Sequence, residues 1–246
     1  MRKRKVVHDD NIIIDLDCSS GDSVVQPSKQ RSRRKRIVKQ PDKAKGKLNS
    51  TVFDFHFKYL WSNFPEEKRT IFTYFECIWF YYYMTASSNE NVLTWIRDKH
   101  IFSKKYVIVP IVYWSHWNLL ILCNFGESLD SVNETPCMLL LDSLQKAGPR
   151  RLEPAIRRFV LDIFRSEGRP ESKKAISKIP LLVPKVPQQR NSVDCGNYVL
   201  YFINLFVNEA PPNFSMKDYP YFMKDDWFDL EGFAHFCEKL KPLEGV

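Results

Sequence analysis

Residues 187–202 read PQQRNSVDCGNYVLYF, a polar stretch that runs into a long apolar one. The polar residues predict a turn, and the apolar run over 197–207 is long enough for a buried helix. Cys195 would then lie in the first turn of that helix, where the helix dipole and free backbone N–H groups stabilise a thiolate. The alternative is a structural cysteine, because free cysteine is among the most buried residue types.

Apolar segments upstream and downstream of this stretch predict one α+β domain with a central run of strands. Helices are predicted over 71–84, 90–97, 152–166 and about 226–240. Strands are predicted over 106–114, 118–125 and 137–144, with a short extended segment at 181–187. Helices before, between and after the strands are typical of a mixed sheet covered by helices.

Two polar residues lie where the predicted strands end. His116 lies between the first two strands, and Asp142 lies near the end of the third. Singly, each is typical of a polar boundary residue. Adjacent strands can nevertheless present both side chains to the start of the Cys195 helix, and a cysteine nucleophile needs a base and a group that orients it. Gln189, six residues before Cys195, carries an amide that can donate to an oxyanion beside the Cys195 backbone N–H.

These residues carry a resemblance to a known family. His116-Trp117, Asp142-Ser143 and the stretch from Gln189 to Gly196 resemble, in order and spacing, the catalytic signature of the Ulp/SENP family of ubiquitin-like-modifier (SUMO) cysteine proteases. The stretches VLTWIRDKHIFSKKYVIVPI and PQQRNSVDCGNYV are most similar to its plant Ulp-two-like branch. The resemblance covers about residues 70–240 and implies a papain-like, Ulp-type fold that needs neither cofactor nor metal.

The resemblance also implies roles for single residues. Cys195 would attack the carbonyl that follows the modifier's C-terminal Gly-Gly, and His116 would activate the thiol and later protonate the leaving amine. Asp142 would fix the imidazole tautomer, while Gln189 and the Cys195 backbone N–H would hold the oxyanion. Trp117 would form one wall of a channel that admits only glycine; the alternative is an ordinary core tryptophan.

One family feature is missing from the place where we expect it. Many members open the domain with a Trp-Leu-Asn-Asp type of stretch, which supplies the second aromatic wall of the channel. The comparable place in this chain is taken to be FTYFECIWFYY, so Phe72 or a neighbouring aromatic residue is the expected second wall.

The basic charge is confined to the first 50 residues, which hold 14 Lys and Arg against 6 Asp and Glu and so account for the whole net charge of +8. We expect a disordered basic arm over 1–50 and a protease domain over 51–246. Two Lys/Arg clusters, at 2–5 and 31–36, are candidate nuclear-import signals, and a solubilising tail is the alternative. A neutral domain argues against nucleic acid as a partner.

An apolar stretch interrupts this arm. Ile12, Ile13, Ile14 and Leu16 lie among aspartates and resemble a SUMO-interacting motif, in which an extended strand adds to the edge of a partner's sheet. The alternative is a chance apolar tetrad.

The cysteine pattern and the hydropathy limit the compartment. Six cysteines lie far apart, with no Cys-x-x-Cys pair and no histidine at ligand spacing, which argues against zinc and against a disulfide framework. We expect no membrane span and no signal peptide. Together with the resemblance and the basic clusters, this leads us to expect a nuclear, monomeric enzyme of the Ulp/SENP type that acts on SUMO or SUMO-conjugated proteins.

Three alternatives remain open from the sequence. The modifier could be of the Nedd/Rub type or ubiquitin rather than SUMO. The domain could bind a modifier without cleaving it. The chain could be a nucleic-acid-binding protein, which only the basic arm suggests.

Overall fold

The computed structural model describes residues 47–85 and 90–241. The α-helices in these ranges are α1 (Ser50–Asn63), α2 (Glu66–Ile71), α3 (Trp79–Thr85), α4 (Glu90–Arg97), α5 (Glu153–Ser166), α6 (Lys173–Ile176), α7 (Cys195–Glu209) and α8 (Leu230–Leu240). The strands are β1 (Phe72–Tyr74), β2 (Tyr106–Tyr113), β3 (His116–Cys123), β4 (Cys137–Leu141) and β5 (Leu181–Leu182). No helix within the described ranges is long and apolar enough to cross a membrane.

The five strands form one mixed sheet in the order β1-β2-β3-β4-β5. The three central strands pair antiparallel, and the short outer strands each join the sheet in parallel. The end of β2 faces the start of β3 through the pair Tyr113–His116. The end of β4 faces the middle of β3 through the pair Leu119–Leu141. His116 and Asp142 therefore lie at the same end of two neighbouring strands.

Helices cover both faces of this sheet. Leu119 and Ile121 of β3 belong to the core that includes α1 and α7, whereas Leu120 and Leu122 belong to the core that includes α3 and α5. A strand that is buried on both faces consists of a continuous apolar run. Apolar and polar residues therefore do not alternate along these strands in the sequence. Each fully buried leucine or isoleucine contributes about 1.5–3 kcal/mol of hydrophobic stabilisation.

The predicted helix over 71–84 is a strand followed by a shorter helix. Phe72–Tyr74 forms β1, which pairs in parallel with residues 106–108 of β2, and α3 begins only at Trp79. A run of aromatic residues suits a strand as well as a buried helix. Here these residues form a strand because they pair with the free edge of β2.

The helix α1 begins at Ser50, one residue before the predicted domain boundary at residue 51. Asn49 caps α1, because its side-chain oxygen accepts from the Val52 backbone N–H at 2.9 Å. The ring of Phe53 on α1 stacks on Trp117 with 4.2 Å between ring centres, which fixes α1 against the sheet. The rest of the predicted arm (residues 1–46), with its basic clusters and its isoleucine motif, lies outside the described residues.

The β2–β3 turn has an unusual backbone for its sequence. Trp114 and Ser115 occupy its two central positions with φ angles of 50° and 56°. Two-residue hairpin turns with positive φ at both positions favour Asn-Gly, and an ordinary residue there costs roughly 1–2 kcal/mol. This strained turn immediately precedes His116.

Candidate active site

The imidazole of His116 and the carboxylate of Asp142 meet at the sheet edge. His116 Nε2 lies 2.7 Å from Asp142 Oδ1, and Asp142 is 1 % exposed. The same carboxylate oxygen accepts from the Leu144 backbone N–H at 2.7 Å. Because Nε2 is engaged with Asp142, Nδ1 is the ring nitrogen left to face Cys195. Burial lowers the pKa of His116, but hydrogen bonds to Asp142 and Cys195 outweigh it and raise this pKa to about 9.

Cys195 is the first residue of α7, as the sequence predicts, and its thiol faces His116. Burial raises the pKa of this thiol, but the hydrogen bonds from His116 and from the Trp117 backbone N–H lower it further than burial raises it. The charges of His116 and Lys47 act in the same direction. The net pKa is therefore below that of an ordinary cysteine, and the site favours a thiolate–imidazolium pair.

Gln189 is held in one orientation by its neighbours. Its Oε1 accepts from the Ser143 hydroxyl at 2.6 Å, and its Nε2 donates to the Asn191 carbonyl at 2.6 Å. The backbone N–H of Gln189 also donates to the Ser143 carbonyl at 2.8 Å. One N–H of the amide remains for a further acceptor near the start of α7, where the first backbone N–H groups have no intrahelical partner.

The sequence analysis gave no role to Gln188 and named Ser143 only as part of the Asp142-Ser143 pair. Gln188 Nε2 donates to the Asp142 carbonyl at 2.9 Å, and its Oε1 accepts from the Gln145 backbone N–H at 2.8 Å. These bonds tie the loop before α7 to the chain that follows β4. The signal available in the sequence was only the pair of glutamines ahead of Cys195.

Residues 47–50, which we call the lead-in segment, lie over the start of α7. Lys47 Nζ donates to the Ser115 carbonyl, and the Leu48 side chain contacts Gly196. A Cβ added at Gly196 would lie 3.0 Å from Leu48 Cβ and 3.4 Å from Trp117 Nε1. Leu48 and Trp117 thus flank Gly196, and Cys195 beside it is 1 % exposed.

This segment reads Lys-Leu-Asn-Ser and shares its two middle residues with the Trp-Leu-Asn-Asp type of opening. Leu48 of this segment contacts Gly196 at the start of α7, whereas Phe72 of FTYFECIWFYY packs on Tyr106 and Phe206. The shared Leu48-Asn49 pair was the signal that could have located it.

Phe72 does not lie with the other predicted site residues. Its ring is 1 % exposed, stacks on Tyr106 at 4.7 Å and meets Phe206 edge-on. Tyr106 and His116 lie at opposite ends of the β2–β3 hairpin, separated along β2 by roughly 20 Å. Phe72 is thus a core residue at the far end of the sheet and cannot form the second channel wall.

Trp117 packs in the core and also lies beside the start of α7. Its ring is 3 % exposed and stacks on Phe53, as a core tryptophan does, while its indole nitrogen lies beside Gly196. Its backbone N–H also donates to the Cys195 thiol. The residue therefore joins the core to the site.

A cysteine at the start of a buried helix, with a histidine and an aspartate from adjacent strands, defines the cysteine-protease class of site on an α+β fold. The chain belongs to the Ulp1 protease family: the profile of its C-terminal catalytic domain matches residues 47–231. This confirms the family resemblance and the fold class that the sequence predicted.

Two curated relatives from Arabidopsis thaliana bear the names probable ubiquitin-like-specific protease 2B and 2A. They are 28 % identical over 68 % of this chain and 29 % identical over 74 % of it, respectively. The alignments cover only 20 % and 26 % of those relatives, so this chain spans about a fifth to a quarter of their length.

A solved structure described as a de-sumoylating protease shares the fold. Its TM-score is 0.62 at 23 % identity, and the match covers 80 % of this chain and 79 % of that one. A structure of the SUMO protease Ulp1, with its catalytic cysteine oxidised to a sulfenic acid, gives a TM-score of 0.51 at 22 % identity, covering 80 % and 81 %.

Proposed function

We propose that this chain is a cysteine peptidase that cleaves after the C-terminal Gly-Gly of SUMO, either to remove the modifier from proteins or to mature its precursor. The observation that carries the proposal is the His116 Nε2–Asp142 Oδ1 contact of 2.7 Å beside a Cys195 thiol whose pKa is lowered. Membership of the Ulp1 protease family supports the same conclusion.

In the first step the Cys195 thiolate attacks the carbonyl carbon of the terminal glycine. The resulting oxyanion accepts hydrogen bonds from the Cys195 backbone N–H and from the free N–H of Gln189, whose amide is oriented by Ser143 and Asn191. One such donor typically contributes about 10²–10³ in rate.

In the second step the C–N bond breaks and His116 gives its Nδ1 proton to the leaving amine. Asp142 keeps the imidazolium oriented throughout, because it holds Nε2. The thioester left on Cys195 is then hydrolysed by a water molecule that His116, now neutral, deprotonates. The cycle ends with a free carboxylate and the restored thiolate–imidazolium pair.

Selection for glycine would follow from a narrow path for the modifier's tail beside Cys195. Trp117 would form one wall and Leu48 of the lead-in segment the other, because both side chains lie beside Gly196, the neighbour of Cys195. Glycine lets two backbones approach closely, so a tail without Cβ atoms suits such a path.

The protease domain, expected over residues 51–246, would act as a monomer with SUMO and SUMO-conjugated proteins as partners. The basic clusters of the arm would direct it to the nucleus. Ile12, Ile13, Ile14 and Leu16 would bind a second SUMO as an added strand.

The test is labelling of the purified chain with SUMO, Nedd-type and ubiquitin probes that carry a C-terminal thiol-reactive group. Mass spectrometry then locates the adduct. We expect a SUMO adduct on Cys195 that is lost in Cys195→Ala and strongly reduced in His116→Ala. Cys237→Ala is the matched control, because burial raises the pKa of that thiol to about 11 and its loss should leave labelling intact.

The other results discriminate the alternatives. A faster adduct with the Nedd-type or ubiquitin probe would keep the chemistry and change the modifier. Non-covalent binding without any adduct would identify a modifier-binding domain and would contradict the proposed activity.

A further inference from the structure

Trp114 keeps a backbone conformation that its residue type disfavours. It occupies the first central position of the β2–β3 turn with φ of 50°, and Ser115 follows with φ of 56°. Asparagine and glycine adopt this conformation readily, whereas a large aromatic residue does not. Strain of this kind that persists next to a reactive residue points to a use for the side chain.

The Trp114 side chain lies on the surface. It is 44 % exposed, whereas Trp117, three residues further along, is 3 % exposed. The guanidinium of Arg151 lies 4.9 Å from the centre of the Trp114 ring, and the centre of the Tyr113 ring lies 4.3 Å from it. Exposed tryptophan and arginine are the residue types most enriched at binding hot spots, so this pair suits contact with another protein.

The chemistry of the reaction fixes which part of a substrate lies beside this pair. His116 follows the turn directly and must reach the leaving amine in order to protonate it. The chain that bears that amine must therefore approach His116, which directly follows the β2–β3 turn. The lead-in segment contacts the same turn from another direction, through Lys47 and the Ser115 carbonyl.

We propose that Trp114 and Arg151 form a contact site for the protein to which the modifier is attached, on the leaving-group side of the scissile bond. The inference rests on the proposed function, because it needs an isopeptide substrate. The positive charge of Arg151, with the exposed Lys146 nearby in the chain, favours an acidic surface on that protein.

The experiment compares two substrates that differ only in their leaving group. One is an isopeptide-linked SUMO dimer, in which the leaving group is a folded protein; the other is SUMO joined to aminocoumarin. Trp114→Ala and Trp114→Asn should lower kcat/KM about tenfold for the dimer and change it by less than about twofold for the aminocoumarin substrate. Arg151→Gln should show the same split, with a smaller loss on the dimer.

Trp114→Asn separates contact from folding, because asparagine suits the left-handed turn. Its melting temperature should equal or exceed that of the wild type while its activity on the dimer falls. Trp95→Ala, which removes a tryptophan of α4 that is 50 % exposed, is the matched control and should leave both substrates unaffected.

Two outcomes would overturn the inference. Equal losses on both substrates would assign Trp114 to the catalytic geometry, and unchanged cleavage of the dimer would show that the pair makes no such contact. A wild-type chain that cleaves neither substrate would instead overturn the proposed function, and this inference with it.

Discussion

At the scale of single residues, Cys195 and His116 carry pKa shifts that oppose the effect of burial. Burial raises a thiol pKa and lowers an imidazole pKa, yet here the thiol pKa is lowered and the imidazole pKa rises to about 9. Each charged form stabilises the other, and Asp142 supports the imidazolium. The ion pair therefore exists from the lowered pKa of Cys195 up to about pH 9. Below this window the thiolate is protonated, and above it His116 lacks the proton for the leaving amine.

We expect Lys47 to lower the pKa of Cys195 and so to set the lower pH limit of the ion pair. Lys47→Met removes a positive charge that stabilises the thiolate, so the pKa of Cys195 should rise. A solvent-accessible charge contributes about 0.2–1 kcal/mol, so alkylation of Cys195 by iodoacetamide at neutral pH should slow about two- to fivefold. The measurement is the alkylation rate as a function of pH.

Two variants decide what Lys47 does. Lys47→Arg keeps the charge, so the pH midpoint of its alkylation rate should equal that of the wild type. Lys58→Met, which changes an exposed residue of α1, should leave this midpoint unchanged. An unchanged midpoint in Lys47→Met would show that Lys47 does not act on the thiolate. A higher alkylation rate of Lys47→Met on the alkaline plateau would show that the Lys47 side chain also restricts access to Cys195.

At the scale of elements, the sequence predicted those with a clear hydropathy pattern. Strands β2, β3 and β4 and the helix α7 follow from continuous apolar runs, and α5 follows from apolar residues on one face of an amphipathic helix. The helices α4 and α8 were also predicted. β1 did not, because Phe72–Tyr74 becomes a strand only by pairing with β2, a long-range contact. The helix α1 was not predicted either, since its buried aromatic face is set by the stack of Phe53 on Trp117.

The packing of α7 under the lead-in segment predicts a specific effect of Gly196→Ala. The added Cβ would lie 3.0 Å from Leu48 Cβ, so the segment must shift. Overpacking costs about 1–3 kcal/mol, which should lower the melting temperature by about 3–10 °C. Because the shift narrows the space for the Gly-Gly tail, kcat/KM for SUMO–aminocoumarin should fall about tenfold or more.

A second glycine serves as the control for the effect of alanine in a helix. Gly232→Ala in α8 would bring a Cβ to the Asp229 and Tyr201 side chains and should leave kcat/KM within about twofold. An unchanged kcat/KM in Gly196→Ala would mean that the lead-in segment moves away from the added Cβ without affecting how the Gly-Gly tail binds.

At the scale of the whole molecule, the site joins residues that are far apart in the chain. His116, Asp142 and Cys195 could be selected from the sequence because each lies at the end of a predictable element in a recognisable order. Lys47 and Gln188 could not, and Ser143 was noted only as the neighbour of Asp142, because the roles of all three depend on contacts across 43 to 68 residues of chain. Phe72 was misplaced for the same reason.

The arm is predicted to affect long substrates more than short ones. Ile12, Ile13 and Ile14 replaced together by Ala should weaken binding of poly-SUMO chains about tenfold, because a second contact is lost. Cleavage of SUMO–aminocoumarin should change by less than twofold. The two quantities are measured by titration with chains and by initial rates.

The control for this prediction lies in the same arm. Val24 and Val25 replaced by Ala remove apolar side chains outside the aspartate-flanked stretch and should change neither quantity. Equal losses on both substrates would instead place the isoleucines in the folded domain.

The opposite shifts of the cysteine pKa values make unfolding visible in the thiols themselves. Burial raises the pKa of Cys77, Cys123 and Cys237, whereas that of Cys195 is lowered. In the unfolded chain all four return to the ordinary value of about 8.5. A denaturant titration followed by thiol labelling would therefore show three peptides gaining nucleophilicity while one loses it. The denaturant concentration at which the labelling rates of these peptides cross would mark the loss of the native state without any added reporter group.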